Sequence, residues 1–266
     1  HQFSDMLDVP STCKSPQQMF GAIAKTYLAQ KLGVDPAKMA VVAVMPCIAK
    51  KYEAGRAELN VDGLPEVDLV ITTRELAKMI REAGITFEAL PDEQFDSPMG
   101  ESTGAAAIFG ASGGVLEAAL RTAYEWISGK TLDKVEFGAL RGIRGIKEAT
   151  VPIGDMNVKV AVASGLGNAR QLLEDIRSGK KEYHAIEIMA CPGGCIDGGG
   201  QPYHNGNISI LEKRARALFN EDSGNKLRKS HENPYIQKLY ADVLGKPNRD
   251  LAEELLHTHY VKRQKM

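Results

Sequence analysis

Cysteine is scarce in this 266-residue chain: Cys13, Cys47, Cys191 and Cys195 are too few, and too clustered, for a disulfide scaffold. Such usage fits a reducing compartment, and the cytoplasm is the expected setting. No apolar run approaches the ~20 residues of a membrane span, which excludes an integral membrane protein, and no membrane partner is expected. A charge excess of either sign is also lacking. Lys plus Arg is 33 and Asp plus Glu 34, a net of −1, so there is no electrostatic footprint for a polyanion and nucleic acid is not an expected partner. The opening stretch from His1 lacks an initiator Met, and it has neither the basic nor the apolar region of a signal peptide, so a piece of something longer is expected.

With 43% hydrophobic and 25% charged residues, the composition is that of a globular protein long enough to bury a sizeable core in one or two domains. Charge is uneven: from Gly206 to Met266 there are 12 basic and 8 acidic residues, which marks the tail as a separate unit.

Apolar residues from Ser15 to Leu32 recur at helical spacing, and Gly33 offers the stop. Ala40 to Met45 is a continuous apolar run ended by Pro46, the pattern of a strand buried on both faces, which puts Cys47 just past a strand's carboxyl end. Val67 to Ile71 reads as another strand, and Thr72 with Glu75 forms a capping box opening a helix to Ala83. A helical stripe runs from Val115 to Ile127. Strand then helix recurs at Val158 to Ala163 and Asn168 to Ser178, and Ala185 to Met189 is a final strand shortly before Cys191. The alternation predicts an α/β fold with largely parallel sheets flanked by helices, ligands collecting beyond the strands' carboxyl ends. Beyond Gln201-Pro202, helix-prone segments at Ile208 to Phe219, Pro234 to Leu244 and Asp250 to His257 predict a helical tail laid over the main body.

Two segments carry chemistry. In Glu187-Ile-Met-Ala-Cys191-Pro-Gly-Gly-Cys195-Ile-Asp-Gly-Gly-Gly-Gln-Pro202, two thiols four residues apart can share one face of a helical turn, and thiolates hold iron-sulfur clusters and soft metals. Spacing alone leaves two inert cysteines in a Gly-rich turn equally open. In Met45-Pro-Cys47-Ile-Ala-Lys50-Lys-Tyr-Glu53, an ammonium beside a thiol would favour the thiolate or bind an anion; taken alone, the segment also fits a half-buried Cys with a surface Lys-Glu pair. Trp126, Met19, Met79 and Met156 read as packing residues and Cys13 as a small buried one, and the histidines show no zinc spacing with the cysteines.

Together the two segments resemble the second and third cysteine signatures of iron-iron hydrogenases. The resemblance extends through Ser11 to Gln18, Thr72 to Leu76, Met99 to Ser102, Ile108 to Gly110 and Gly145 to Ala149. The tail, with Lys229-Ser-His-Glu-Asn-Pro234 and Leu256-His-Thr-His-Tyr260, is similar to the family's small-subunit region. The implied organisation is two-lobed, with residues 1–205 a partial H-cluster domain and residues 206–266 a wrapping helical segment.

The resemblance implies an H-cluster, a 4Fe-4S cubane joined through one cysteine sulfur to a two-iron subcluster carrying carbon monoxide, cyanide and a bridging azadithiolate. Cys47 and Cys191 would ligate the cubane, and Cys195 would ligate it and bridge. Lys50 would bind a cyanide on the distal iron, with Glu53 in the same motif, and Met45, Gln17, Phe109 and Met189 would line the pocket. Of the family's proton path only Ser11 maps onto this chain. The implied partners are ferredoxin or NADH-linked electron-transfer subunits, together with upstream iron-sulfur segments.

The family's first signature, Thr-Ser-Cys-Cys-Pro, is absent, taking with it one cubane ligand and a proton-relay cysteine. The expectation is a carboxyl-terminal fragment of a catalytic subunit, itself inactive and with an absent or incomplete cluster. The rival from another class is a hydrogenase-like sensor or iron-sulfur assembly protein that binds only a cubane.

Overall fold

The structure, a computed structural model, describes residues 2–247 and 250–262. The chain forms two compact units. The first joins the chain up to Met99 with the segment from Lys238 onward, and the second runs from Gly100 to Gln237.

In the first unit, α1 (Pro16–Ile23) continues through a wider turn at Ala24–Leu28 into α2 (Ala29–Leu32), and Gly33 ends it with φ 64°, as the sequence predicts. The hydroxyl of Thr26 donates to the carbonyl of Ala22 at 2.7 Å where the helix widens. Strand β1 (Val42–Met45) leads through Pro46 and Cys47 into α3 (Ala49–Ala54). A short hairpin, β2 (Asn60–Val61) with β3 (Leu64–Pro65), precedes β4 (Leu69–Thr72), which pairs parallel to β1 with Met45 opposite Thr72. The capping box forms: Thr72 Oγ1 accepts from the Glu75 amide at 3.1 Å, Glu75 Oε2 accepts from the Thr72 amide at 2.7 Å, and α4 (Thr73–Glu82) follows.

Strand β1 is not buried on both faces. Val42 is 51% and Val44 46% exposed, because its two-stranded sheet is covered on one side only, where Ala43 and Met45 pack with Ala24, Leu28, Val41, Val67 and Val70.

The second unit begins with α5 (Gly104–Ala107) and α6 (Gly114–Ser128). Three strands follow, β5 (Gly145–Ile153), β6 (Met156–Ser164) and β7 (Ala185–Met189), with α7 (Leu166–Arg177) crossing over between the last two. Strand β6 is central, antiparallel to β5 and parallel to β7. Its Val158, Val160 and Val162 pack with Leu116, Leu120, Leu140 and Ile153, while Ala161 and Ala163 pack on the other face with Ala169 and Leu172. The sequence pattern does not predict β5. Helix α8 (Ile208–Gly224) completes this unit, α9 (Pro234–Leu239) crosses the boundary, and α10 (Asp250–Leu256) belongs to the first. The segment 206–266 thus contributes to both units, and Leu239, Leu244, Ala252 and Leu255 form one core cluster with Ala22 and Ile23.

Four packing expectations need correction. Cys13 is exposed, held at a bridge with His257. Trp126 is 67% exposed, lying edge-on to His231 near the carboxyl end of α6. Met79 and Met156 are exposed, the first on α4, which buries no residue, and the second at the start of β6.

Candidate functional site

Cys47 emerges from the carboxyl end of β1, half-buried, with Ile48 at the amino end of α3. The helical spacing of α3 places Lys50 and Glu53 one turn apart on one face. Their ion pair measures 2.9 Å between Lys50 Nζ and Glu53 Oε2, with side chains only 28% and 20% exposed, so it is not a freely solvated surface pair. The same oxygen accepts from Ser15 Oγ at 2.7 Å and from Gln17 Nε2 at 3.0 Å. Gln17 Nε2 also reaches the Lys50 carbonyl at 3.2 Å. The start of α1 is thereby tied to α3, and Gln17, Lys50 and Glu53 come together as one group. Gln17 Oε1 is buried and meets no donor among the described residues. Met45 is half-buried at the end of β1. Ser11 is exposed; its Oγ accepts from the Cys13 amide at 3.2 Å, and its carbonyl accepts from Tyr260 at 2.7 Å, so it stands outside the Glu53 group.

In the second unit β7 delivers Met189 and then Cys191. The loop is a tight turn instead of the helical one expected: Gly193 and Gly194 have φ 77° and 95°, the Gly194 amide donates to the Cys191 carbonyl at 3.0 Å, and a short 3-10 turn starts at Cys195. Only glycine suits position 194. A Cβ there would lie 2.7 Å from the Ser112 amide nitrogen and 3.0 Å from the Ala111 carbonyl carbon. Both cysteines are half-buried, and none of the four is in a disulfide. Phe109 is half-buried in the turn after α5, packed with Ala105, Ile108 and Ala118.

The structure adds Glu187, to which the sequence pattern assigns no role. Its carboxylate accepts from the amides of Gly113 at 2.6 Å and Leu116 at 2.8 Å, capping α6 from the middle of β7. Burial pushes the carboxyl up from the usual range, against those amide bonds and the Lys147 ammonium. A lone Glu between Ile186 and Ile188 is the available signal. Ser15 stands in the sequence as one member of a motif, and nothing in its spacing to Glu53 points to their bond.

Glu125, His231 and Glu232 are, among the described residues, an acid-histidine group close enough to hold a cation. Lys229 Nζ already lies 2.6 Å from Glu125 and 3.1 Å from Glu232, so the position is taken by an ammonium.

Comparison with known proteins matches residues 1–199 to the family described as "Iron only hydrogenase large subunit, C-terminal domain" and residues 208–263 to "Iron hydrogenase small subunit". The NADP-reducing hydrogenase subunit HndD of Solidesulfovibrio fructosivorans is 61% identical over 266 residues, which is 100% of this chain and 45% of that protein. The periplasmic Fe hydrogenase large subunit of Nitratidesulfovibrio vulgaris is 52% identical, over 82% of this chain and 52% of its own length. A cytosolic Fe-S cluster assembly factor of Xenopus tropicalis is 32% identical, over 97% of this chain and 55% of its own. Among solved structures, an apo FeFe-hydrogenase of Chlamydomonas reinhardtii aligns with TM-score 0.83 and 41% identity, covering 97% of this chain and 72% of that one. The chain belongs to the iron-only hydrogenase family, in its large-subunit carboxyl-terminal domain and small-subunit regions. It spans about half the length of the curated relatives it matches.

Proposed function

We propose that this chain is the carboxyl-terminal part of an FeFe-hydrogenase catalytic subunit whose full protein interconverts protons, electrons and molecular hydrogen. The observation that carries the reading is the placement of Cys47, just past β1 and three residues before Lys50, whose ammonium is held by Glu53. The thiols of Cys47, Cys191 and Cys195 are donors of the kind that suits iron-sulfur ligation, and the buried, unsatisfied Gln17 Oε1 suits a neighbouring polar group. These residues fit an H-cluster, with three of its four cysteine ligands supplied here. When bound, that cluster supplies redox iron and the heterolytic handling of hydrogen.

Cys47 and Cys191 would hold the cubane, and Cys195 would serve both the cubane and the two-iron subcluster. Lys50 would offer charge-assisted hydrogen bonds to an anionic cyanide of that cluster, while Glu53 fixes the ammonium without taking up all its donors. Met45, Met189 and Phe109 would be the apolar side chains facing the group, Gln17 would add a polar contact, and Ser11 would belong to the proton path. The partners are ferredoxin or nicotinamide-linked electron-transfer subunits and further iron-sulfur segments; the name of the NADP-reducing relative supports the nicotinamide-linked kind. Among the described residues no helix is long and apolar enough to cross a membrane. Cysteine usage favours the cytoplasm, although one relative is described as periplasmic.

Similarity to the assembly factor supports the second reading, a protein that binds a cubane alone. Infrared spectroscopy of the anaerobically matured full protein decides. Carbonyl and cyanide stretches with hydrogen evolution are expected; a cubane signal without those bands and without turnover overturns the catalytic reading in favour of the second.

A further inference from the structure

Ser164 is the last residue of β6, opposite Met189 of β7, and its side chain is almost wholly buried. Its Oγ donates to the Ile143 carbonyl at 2.9 Å and accepts from the Gly193 amide at 2.8 Å. Gly193 is the centre of the turn between Cys191 and Cys195, and its carbonyl accepts from the Ser112 amide at 2.8 Å. Gly193 is therefore gripped through its N–H by the sheet and through its C=O by the segment leading into α6.

Packing does not do this alone. A cavity of about 350 Å³, lined in part by Ala111, Ile143, Ile196 and Phe219, opens against Gly193, so packing does not enclose the loop on every side. The loop also holds left-handed backbone at two successive glycines, a conformation that persists when the surroundings determine it. A hydroxyl can donate and accept at once from a short side chain. Alanine would leave the Gly193 amide and the Ile143 carbonyl without this partner in a buried place.

We propose that Ser164 is a positioning residue for the cysteine loop: its hydroxyl, bonded to Gly193 N–H and Ile143 C=O, fixes the turn from which Cys191 and Cys195 present their thiolates. The part concerning a bound cluster rests on the hydrogenase reading above; the part concerning the loop does not.

The test uses the full protein, wild type, Ser164→Ala and Ser164→Thr, in two states. In the metal-free state, hydrogen exchange of the segment 190–196 is followed at single-amide resolution. After anaerobic reconstitution with ferrous iron and sulfide, bound iron, the paramagnetic spectrum of the reduced cluster and its reduction potential are recorded. The expected result is that Ser164→Ala speeds exchange of the Gly193 amide tenfold or more and alters the cluster's spectrum and potential, while Ser164→Thr, which keeps the hydroxyl, restores both towards wild type. Wild-type exchange in Ser164→Ala overturns the proposal. So does faster exchange with an unchanged spectrum and potential, which would make Ser164 a structural bond only. If Ser164→Ala does not fold, the metal-free wild type decides: an unprotected Gly193 amide overturns the proposal and a protected one supports it. If wild type takes up no iron, the hydrogenase reading fails, while exchange still judges the loop.

Discussion

Arg121 reaches Asp222, 101 residues away in the chain, through two parallel hydrogen bonds, Nη1 to Oδ1 at 2.7 Å and Nη2 to Oδ2 at 2.8 Å. Both side chains are fully buried, as is Glu117, which accepts from Arg121 Nη2 at 2.7 Å. The guanidinium also donates to the carbonyls of Val135 and Arg228. This network joins α6 to α8 inside the second unit. Arg121→Met removes the cation and leaves buried carboxylates short of a partner, a change that costs about 3–5 kcal/mol. A urea titration checks it, and a loss below about 1 kcal/mol would show the network to be dispensable.

Acid should attack the same place. Burial raises the Asp222 carboxyl, but hydrogen bonds from Arg121 and Arg228 outweigh it and hold the group at about 2. A carboxylate depressed in the folded state adds stability above its unfolded value of about 3.9, and that stability is lost as pH falls towards the folded value. The expected contribution is about 2 kcal/mol, lost between roughly pH 4 and pH 2. Glu125 is also held at about 2, against its burial, by the Leu132 amide, Lys229 and His231, and it adds to the trend. Urea midpoints at pH 5, 4 and 3 should fall steeply for wild type and less steeply for Asp222→Asn; parallel curves would refute the assignment.

Lys50→Ala in the full, matured protein should lower hydrogen evolution by at least about a hundredfold, the scale of removing one preorganised donor from a developing charge. The cubane should remain and the cyanide stretches should shift or vanish. Unchanged bands at wild-type activity would leave Lys50 as a partner of Glu53 and nothing more.

Two glycines separate strain from crowding. Gly33 has φ 64° with nothing within 4 Å of where a Cβ would stand, whereas at Gly194, φ 95°, backbone atoms stand at 2.7 and 3.0 Å. Gly33→Ala should cost about 1 kcal/mol, from backbone conformation alone. Gly194→Ala should cost more and also lower iron retention, because the Ser112 backbone or the cysteine loop has to move. Equal melting points and equal iron content in the two variants would remove the close approach as an explanation.

Local chemistry is legible where one short segment decides the outcome. Thr72 with Glu75 announces the helix, and Ala185 to Met189 announces β7 at its observed bounds. Strand β5 is hidden because Pro152 and Gly154 punctuate it like a loop. Pro152 is tolerated there because β5 is an edge strand and the hairpin turns just beyond Ile153. In β1, sequence shows that Val42 and Val44 are apolar, but not whether anything covers them. The motifs point to Lys50 and Glu53 by number, and helical spacing explains their pair. That Ser15 and Gln17 share the same carboxylate oxygen depends on how α1 lies against α3, which no local pattern encodes.

The first unit is built from both ends of the described chain. Leu244, Ala252 and Leu255 complete the core begun by Ala22 and Ile23, the Lys14 amide donates to the Leu256 carbonyl at 2.8 Å, and the Thr258 amide donates to that of Thr12 at 2.8 Å. The second unit is continuous from Gly100 to Gln237. On the ribosome the whole of the second unit therefore emerges before the segment that closes the first, so the surroundings of the Cys191–Cys195 loop are complete while those of Cys47 still wait for residues some two hundred positions later.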